Sequence, residues 1–279
     1  MQALRDLEIG VMFWAGRDPL ETIRELKSLG ARCGQIGIPG DFKLAGAAAG
    51  WKEALAAEEF PLVTVFAAFT GEDYADIPTV EKTVGFIPPA TRAEREARTW
   101  AISDFAAALG VGSIALHVGF VPEDTSNPNY IAVREMVRRV CDHAATHGQN
   151  FALETGQEPA DVLLKFFEDV NRPNLRINFD PANLILYGSG DPIEALGVLA
   201  RHVETVHAKD GDWPPKGVAG ALGSEKPLGQ GSVGMERFVA KLKEVGYKGT
   251  MNVEREGTAP EQWRADVRMA VELLTRLRA

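Results

Sequence analysis

Apolar and polar positions follow two rhythms along this chain, and the rhythms alternate. Short apolar runs of strand length, such as Leu62-Val-Thr-Val-Phe-Ala67, are separated by longer stretches whose apolar residues recur every three or four positions. The first pattern predicts strands buried on both faces, the second amphipathic helices. The first strand falls at 8–13. Asp18 and Pro19 then open a helix, because Asp caps a helix start and Pro fits the first helical position. Leu20, Ile23, Leu26 and Leu29 form its apolar stripe, and Gly30 stops it. Further strands follow at 34–38, 62–67, 113–118 and 151–154, with helices over 44–59, 92–109, 129–147 and 158–169. Strand six ends at Asp180, a helix opens at Asp191-Pro192, and strand seven ends at His207. A helix over 234–245, a strand over 250–254 and a helix over 260–278 complete the order.

Eight strand–helix pairs, with no linker, low-complexity tract or break in composition, predict one right-handed (β/α)8 TIM barrel of the α/β class over residues 1–279. The competing arrangement is an open doubly wound sheet, which would spread the strand ends along a line. No glycine-rich dinucleotide or phosphate-loop fingerprint follows the first strand, so no nucleotide cofactor is expected. Two connections, 69–90 and 208–233, are long for a compact domain. Phe69, Tyr74 and Phe86 in the first of them predict an ordered lid over the barrel mouth.

The last four strands share a feature: each ends in a side chain able to hold a metal, namely Glu154, Asp180, His207 and Glu254. In a barrel of parallel strands the C-terminal ends open on one face, where chemistry is found. The four residues are 26, 27 and 47 positions apart. The first two spacings match one strand–helix unit of roughly thirty residues, and the third is lengthened by the 208–233 loop. Singly, each residue has a plainer reading. A strand histidine is often only hydrogen-bonded in a core, and Asp180 before Pro181 also caps a turn or helix. Glu154 and Glu254 each follow an apolar run, and a buried glutamate needs a partner or a cation. Together, three carboxylates and one imidazole suit a single hard divalent cation, Mn²⁺, Mg²⁺ or Co²⁺, over a cysteine-rich structural zinc.

Composition narrows the partners. A net charge of −9 and a pI near 5.2 leave no basic footprint for nucleic acid. Five histidines are too few for the multi-zinc cluster of a barrel endonuclease. No stretch approaches a membrane span, and residues 1–8 are charged without the apolar centre of a signal peptide. Cys33 and Cys141 lie far apart and form no redox or metal pair, which fits a cytoplasmic protein without a disulfide framework.

Five segments carry a likeness: Leu153-Glu-Thr155, Asn178-Phe-Asp-Pro-Ala-Asn183, Val206-His-Ala-Lys-Asp210, Pro227-Leu-Gly-Gln-Gly231 and Asn252-Val-Glu-Arg-Glu256. Through them the chain resembles, along essentially its full length, the xylose-isomerase-like barrels. That is the sugar phosphate isomerase/epimerase group, which includes the tagatose and psicose 3-epimerases. The resemblance implies that Glu154, Asp180, His207 and Glu254 bind one divalent metal, usually Mn²⁺, and that both glutamates act on the substrate. It also implies a homo-oligomer packed through barrel helices. Two positions depart from the ketose 3-epimerases: Asn183 replaces a histidine three residues after the metal-binding Asp, and Trp213 an arginine six residues beyond His207.

The expected chemistry is an enediolate formed beside the metal, with Glu154 and Glu254 as the catalytic pair. Proton removal on one face and return on the other epimerises a sugar; a single competent face isomerises aldose and ketose. A leaving group beta to the acidic carbon instead makes the protein a lyase or dehydratase, on a keto-inositol or a 3-keto-glycoside. His117, Asn183, Lys209 and Phe69 are the candidate substrate-binding residues, with Phe13, Trp14 and Phe86 as further rings for stacking. His117 and Asn183 would hydrogen-bond hydroxyls, and Lys209 would hold an oxyanion or a phosphate.

Overall fold

The computed structural model describes residues 4–279. Its first half runs β1 (Ile9–Trp14), α1 (Pro19–Ser28), β2 (Cys33–Ile38), α2 (Ala47–Ala57), β3 (Leu62–Ala67), α3 (Ile77–Thr83), α4 (Arg92–Leu109) and β4 (Ser113–Leu116). Then come α5 (Pro128–Thr146), β5 (Asn150–Glu154), α6 (Ala160–Val170), β6 (Leu175–Phe179), α7 (Pro181–Tyr187), α8 (Pro192–Leu199) and β7 (Val203–Ala208). A short hairpin, β8 (Asp210–Asp212) and β9 (Ser224–Lys226), precedes α9 (Met235–Glu244), β10 (Met251–Val253) and α10 (Pro260–Arg278). Eight strands pair in parallel in the order β1-β10-β7-β6-β5-β4-β3-β2 and close on themselves. The closed barrel replaces the open-sheet alternative, so the strand ends ring one mouth.

Strand alternation decides what faces the barrel axis. On β5, Phe151 and Leu153 join the large core beneath the helices, while Ala152 belongs to a separate small cluster with Met12, Phe66 and Ala115. On β6, β7 and β10 the core members are Leu175, Ile177 and Phe179, Val206 and Ala208, and Met251 and Val253. The residues between them, Asn178, Thr205, His207 and Asn252, are buried and polar. Bulky aliphatics usually fill a barrel of this kind; here a polar layer occupies the interior under the last strands. Hydrogen bonds tie it together: Gln35 Nε2 donates to Thr205 Oγ1 at 2.6 Å, and Asn252 Nδ2 to the same oxygen at 3.1 Å.

The structure differs from the sequence expectation in its connections. The 69–90 loop contains α3, capped by Asp76 with Pro78 in its first turn. The 208–233 loop contains the β8–β9 hairpin. The helix α7 starts directly after Asp180, which makes Asp180 the cap of α7 and ends β6 one residue earlier than expected. Each of these elements is too short to show a hydrophobic period of its own. Among the described residues no helix is long and apolar enough to cross a membrane. Residues 1–3 of the charged N-terminal segment lie outside the described residues.

Candidate metal centre and barrel mouth

The barrel order sets β5, β6, β7 and β10 side by side. Their exits therefore carry Glu154, Asp180, His207 and Glu254 along one arc, with the glutamates at its two ends. His207 is the hub. Its Nδ1 lies 2.7 Å from Glu154 Oε1, 3.1 Å from Glu254 Oε2 and 3.9 Å from Asp180 Oδ2. On the far side of the ring, Nε2 is 2.8 Å from Gln35 Oε1. With Nε2–H donating to Gln35, Nδ1 is the nitrogen turned toward the carboxylates. Gln35 sits in the apolar run of β2, and a lone buried polar residue there was the one sequence signal for this support.

Asp180 divides its two oxygens between two tasks. Oδ1 accepts the Asn183 N–H at 2.9 Å and so caps α7. Oδ2 is buried and takes no hydrogen bond. Its backbone is fixed by Thr155, whose hydroxyl oxygen accepts the Asp180 N–H at 2.7 Å and donates to the Asp180 carbonyl at 2.9 Å. Capping and ligation are therefore compatible readings of this residue.

Lys209 is buried, with Nζ 3.0 Å from Glu254 Oε2 and 3.0 Å from Glu256 Oε2. The charges settle accordingly. Burial drives the Asp180 carboxyl well above the usual carboxylate range; Lys209 opposes this, but Glu254 and Glu154 reinforce it. Burial would also raise Glu254, yet His207 and Lys209 together hold it well below that range. Burial alone would lower His207, but Glu254 and Glu154 lift it well above its ordinary value.

A divalent cation fits this set. One ligand atom from each of the four residues lies within 4.8 Å of all the others. Asp180 Oδ2 takes no hydrogen bond, and His207 Nδ1 faces both glutamates, Glu154 Oε1 at 2.7 Å and Glu254 Oε2 at 3.1 Å. Three carboxylates and one imidazole match the preferences of Mg²⁺ or Mn²⁺.

Above the cluster opens a cavity of about 400 Å³. Trp14, Phe66, Tyr74 and Tyr187 supply its aromatic wall, and His117, Asn183, Lys209 and Glu254 reach it from below. Of the expected substrate contacts, Asn183 stands 3.4 Å from Glu154 Oε1 through Nδ2. His117 turns Nε2 to Glu154 Oε2 at 3.1 Å, and its Nδ1 is buried without a partner. That geometry orients Glu154 more directly than it offers a nitrogen to substrate. The ammonium of Lys209 is already engaged by two carboxylates, so it is no free phosphate anchor. Phe69 corrects the expectation: it is buried against Phe86, 5.9 Å between ring centroids, with the Arg95 guanidinium 5.3 Å over its face. Phe86 is fully buried as well. Tyr74 takes the lining role that sequence assigned to Phe69. The loop that carries Tyr74 is ordered by Glu72, which accepts the Phe69 and Gly85 N–H groups at 2.9 Å each.

Comparison with known proteins places this geometry in context. A family model described as xylose isomerase-like TIM barrel matches residues 23–273. The chain is 44% identical to a xylose isomerase domain protein from Planctomyces limnophilus whose structure is solved, with a TM-score of 0.93 over 98% of each chain. It is 27% identical over 153 residues to an uncharacterized protein of Methanocaldococcus jannaschii, covering 50% of this chain and about half the length of that relative. A D-allulose 3-epimerase from a Methylomonas species, solved with D-allulose, shares 18% identity and a TM-score of 0.72 over 99% of this chain and 98% of that one. This last likeness is one of fold alone.

Proposed function

The chain belongs to the xylose isomerase-like TIM barrel family, and on that premise we propose that it is a divalent-metal-dependent isomerase or epimerase of a sugar or sugar derivative. The observation that carries the proposal is the buried arc of four ligands, with Asp180 Oδ2 unpartnered and a glutamate at either end. Glu154, Asp180, His207 and Glu254 would hold the cation. When bound, it supplies Lewis-acid polarisation of a sugar carbonyl, which acidifies the neighbouring C–H bond.

The remaining work falls to the chain's own groups. Glu254, kept ionised by Lys209 and His207, is suited to take the proton alpha to the carbonyl. Glu154 approaches from the opposite end of the arc, its carboxylate oriented by His117, and is suited to return a proton on the other face. Lys209 stays charged because Glu254 and Glu256 hold it, and so fixes Glu254 in place. Asn183 offers its side-chain amide to a hydroxyl beside Glu154. The aromatic wall and the ordered 69–90 loop narrow the mouth against water.

Proton NMR in D₂O tests the reading. Mn²⁺-loaded protein is offered ketoses, sugar phosphates and keto-inositols, beside Glu154→Gln and Glu254→Gln. Deuterium is expected to enter alpha to a carbonyl, with either variant slower by about 10²-fold or more. Product formula then separates epimerisation, which conserves it, from elimination, which does not. Exchange that persists at the wild-type rate in both variants would overturn the proposal.

A further inference from the structure

Glu254 borders two hollows. Beside the mouth cavity of about 400 Å³ lies a second of about 270 Å³, between the exit of β1, the helix α1 and the start of α10. Trp14, Glu254 and Glu256 line both. One indole and two carboxylates are therefore the shared wall. Trp14 is 41% exposed, an unusual amount for an aromatic at the rim of a buried charge cluster. It is nevertheless held firmly. Its ring lies on the Gly37 backbone so closely that a Cβ there would come within 2.5 Å of Trp14 Cε3. A rigid, half-open indole presents an apolar surface at no cost in ordering when a ligand arrives.

The second hollow is equipped for a polar ring. Trp263 stands on its far wall. Arg17 and Arg264 both pair with Glu25, at 2.5 and 2.6 Å, and all three face the space. Those pairs leave further guanidinium N–H groups able to donate to a ligand. Thr258 Oγ1 is buried there with no hydrogen-bond partner. Aromatic faces with guanidinium donors and an unspent hydroxyl suit a pyranose, which has apolar C–H faces and a rim of hydroxyls. Small-molecule sites run to about 300–1,000 Å³. The mouth alone lies near the lower end of that range, and both hollows together reach well into it.

We propose that the substrate is a glycoside of two rings. The ring bearing the reacting carbon occupies the mouth beside Glu154 and Glu254, and the second ring rests between Trp14 and Trp263. This rests on the sugar isomerase/epimerase reading and names the substrate class of that same site.

The test is direct binding, followed by intrinsic fluorescence and calorimetry on the Mn²⁺-loaded protein. D-Fructose is compared with fructoses carrying a glucosyl group on O3, O4, O5 or O6. At least one two-ring sugar is expected to bind tenfold or more tightly than fructose. Trp263→Ala, at a residue that lines the second hollow and not the mouth, should erase that preference and leave fructose binding unchanged. Thr258→Val removes a hydroxyl that has no partner in the fold, and should reduce the preference several-fold in a protein of normal stability. Equal affinity for one- and two-ring sugars, or a preference untouched by both variants, would overturn the subsite even with deuterium exchange intact. A preference lost in both variants but no exchange on any sugar would uphold the subsite and overturn the isomerase reading. Binding of neither size would overturn both.

Discussion

Among the described residues two clusters gather side chains able to ligate a metal to similar distances, and their surroundings differ. At the mouth stand Glu154, Asp180, His207 and Glu254; on the outer helices α4 and α5 stand Asp104 and His143, with His147 at the C-cap of α5. In the outer set, both imidazole Nε2 atoms lie 2.8 Å from Asp104 Oδ1, and the ring of His143 stacks on Trp100. Its side chains are 27–59% exposed, so water completes whatever the pairs leave open. In the mouth set none exceeds 9% exposure, and no donor of the fold hydrogen-bonds Asp180 Oδ2. Proximity of ligands is thus common to both. What distinguishes a built site is burial combined with lone pairs that nothing in the fold uses.

A third buried carboxylate sharpens the point. Glu158 is 4% exposed and accepts the Val121 N–H at 2.7 Å. Burial pushes its carboxyl up to about 7, with only backbone hydrogen bonds in opposition. Glu254 is also buried but has His207 and Lys209 beside it, and it goes down instead. For these two acids the difference is the pair of neighbouring cations that Glu254 has and Glu158 lacks.

The largest expected effect separates the two clusters by metal. Mn²⁺ at a thousandfold excess over its Kd should stabilise the native state by about 4 kcal/mol, read as a rise in Tm. Asp180→Asn should abolish the rise and Asp104→Asn should keep it. Loss in Asp104→Asn alone would invert the comparison.

Next in size is a pH effect that isolates burial. The folded Glu158 carboxyl sits near 7, above its ordinary 4.5, so the native state binds this proton more tightly than the unfolded chain. Its contribution is fully present below pH ~4.5 and is lost as pH rises through ~7, on the order of 3 kcal/mol in all. Denaturant titrations at pH 5 and pH 8 should show a smaller stability drop in Glu158→Gln than in wild type. Equal drops would mean that Glu158 is already ionised in the fold.

The smallest effect belongs to the outer cluster. Asp104→Asn should cost less than about 1 kcal/mol, because exposed pairs are screened by solvent, and the difference should fade in 1 M salt. A larger, salt-resistant loss would mark it as more than a surface pair.

The barrel was legible because its strands are uniform apolar runs and its helices long enough to show a period. The four mouth residues were legible for a related reason: an acid or histidine closing a buried strand has no apolar explanation, and barrel geometry sends all such ends to one face. The missing pieces depend on contacts distant in sequence. Whether Phe69 packs or lines the cavity is decided by Phe86 and Arg95, and Lys209 acquires its role from Glu256. Gln35 supports His207 across the barrel from β2 to β7, a contact between positions 172 residues apart. The short helices α3 and α7 and the β8–β9 hairpin were out of reach because two turns of helix or a three-residue strand are too short to show a period.

The account rests on the mouth cluster being a metal centre, and metal content tests that most directly. Protein equilibrated with Mn²⁺ and then freed of unbound ion should retain one equivalent per chain by elemental analysis, in wild type and in Asp104→Asn. Asp180→Asn should retain none. Wild type that retains no ion, or an Asp180→Asn variant that retains a full equivalent, would contradict it.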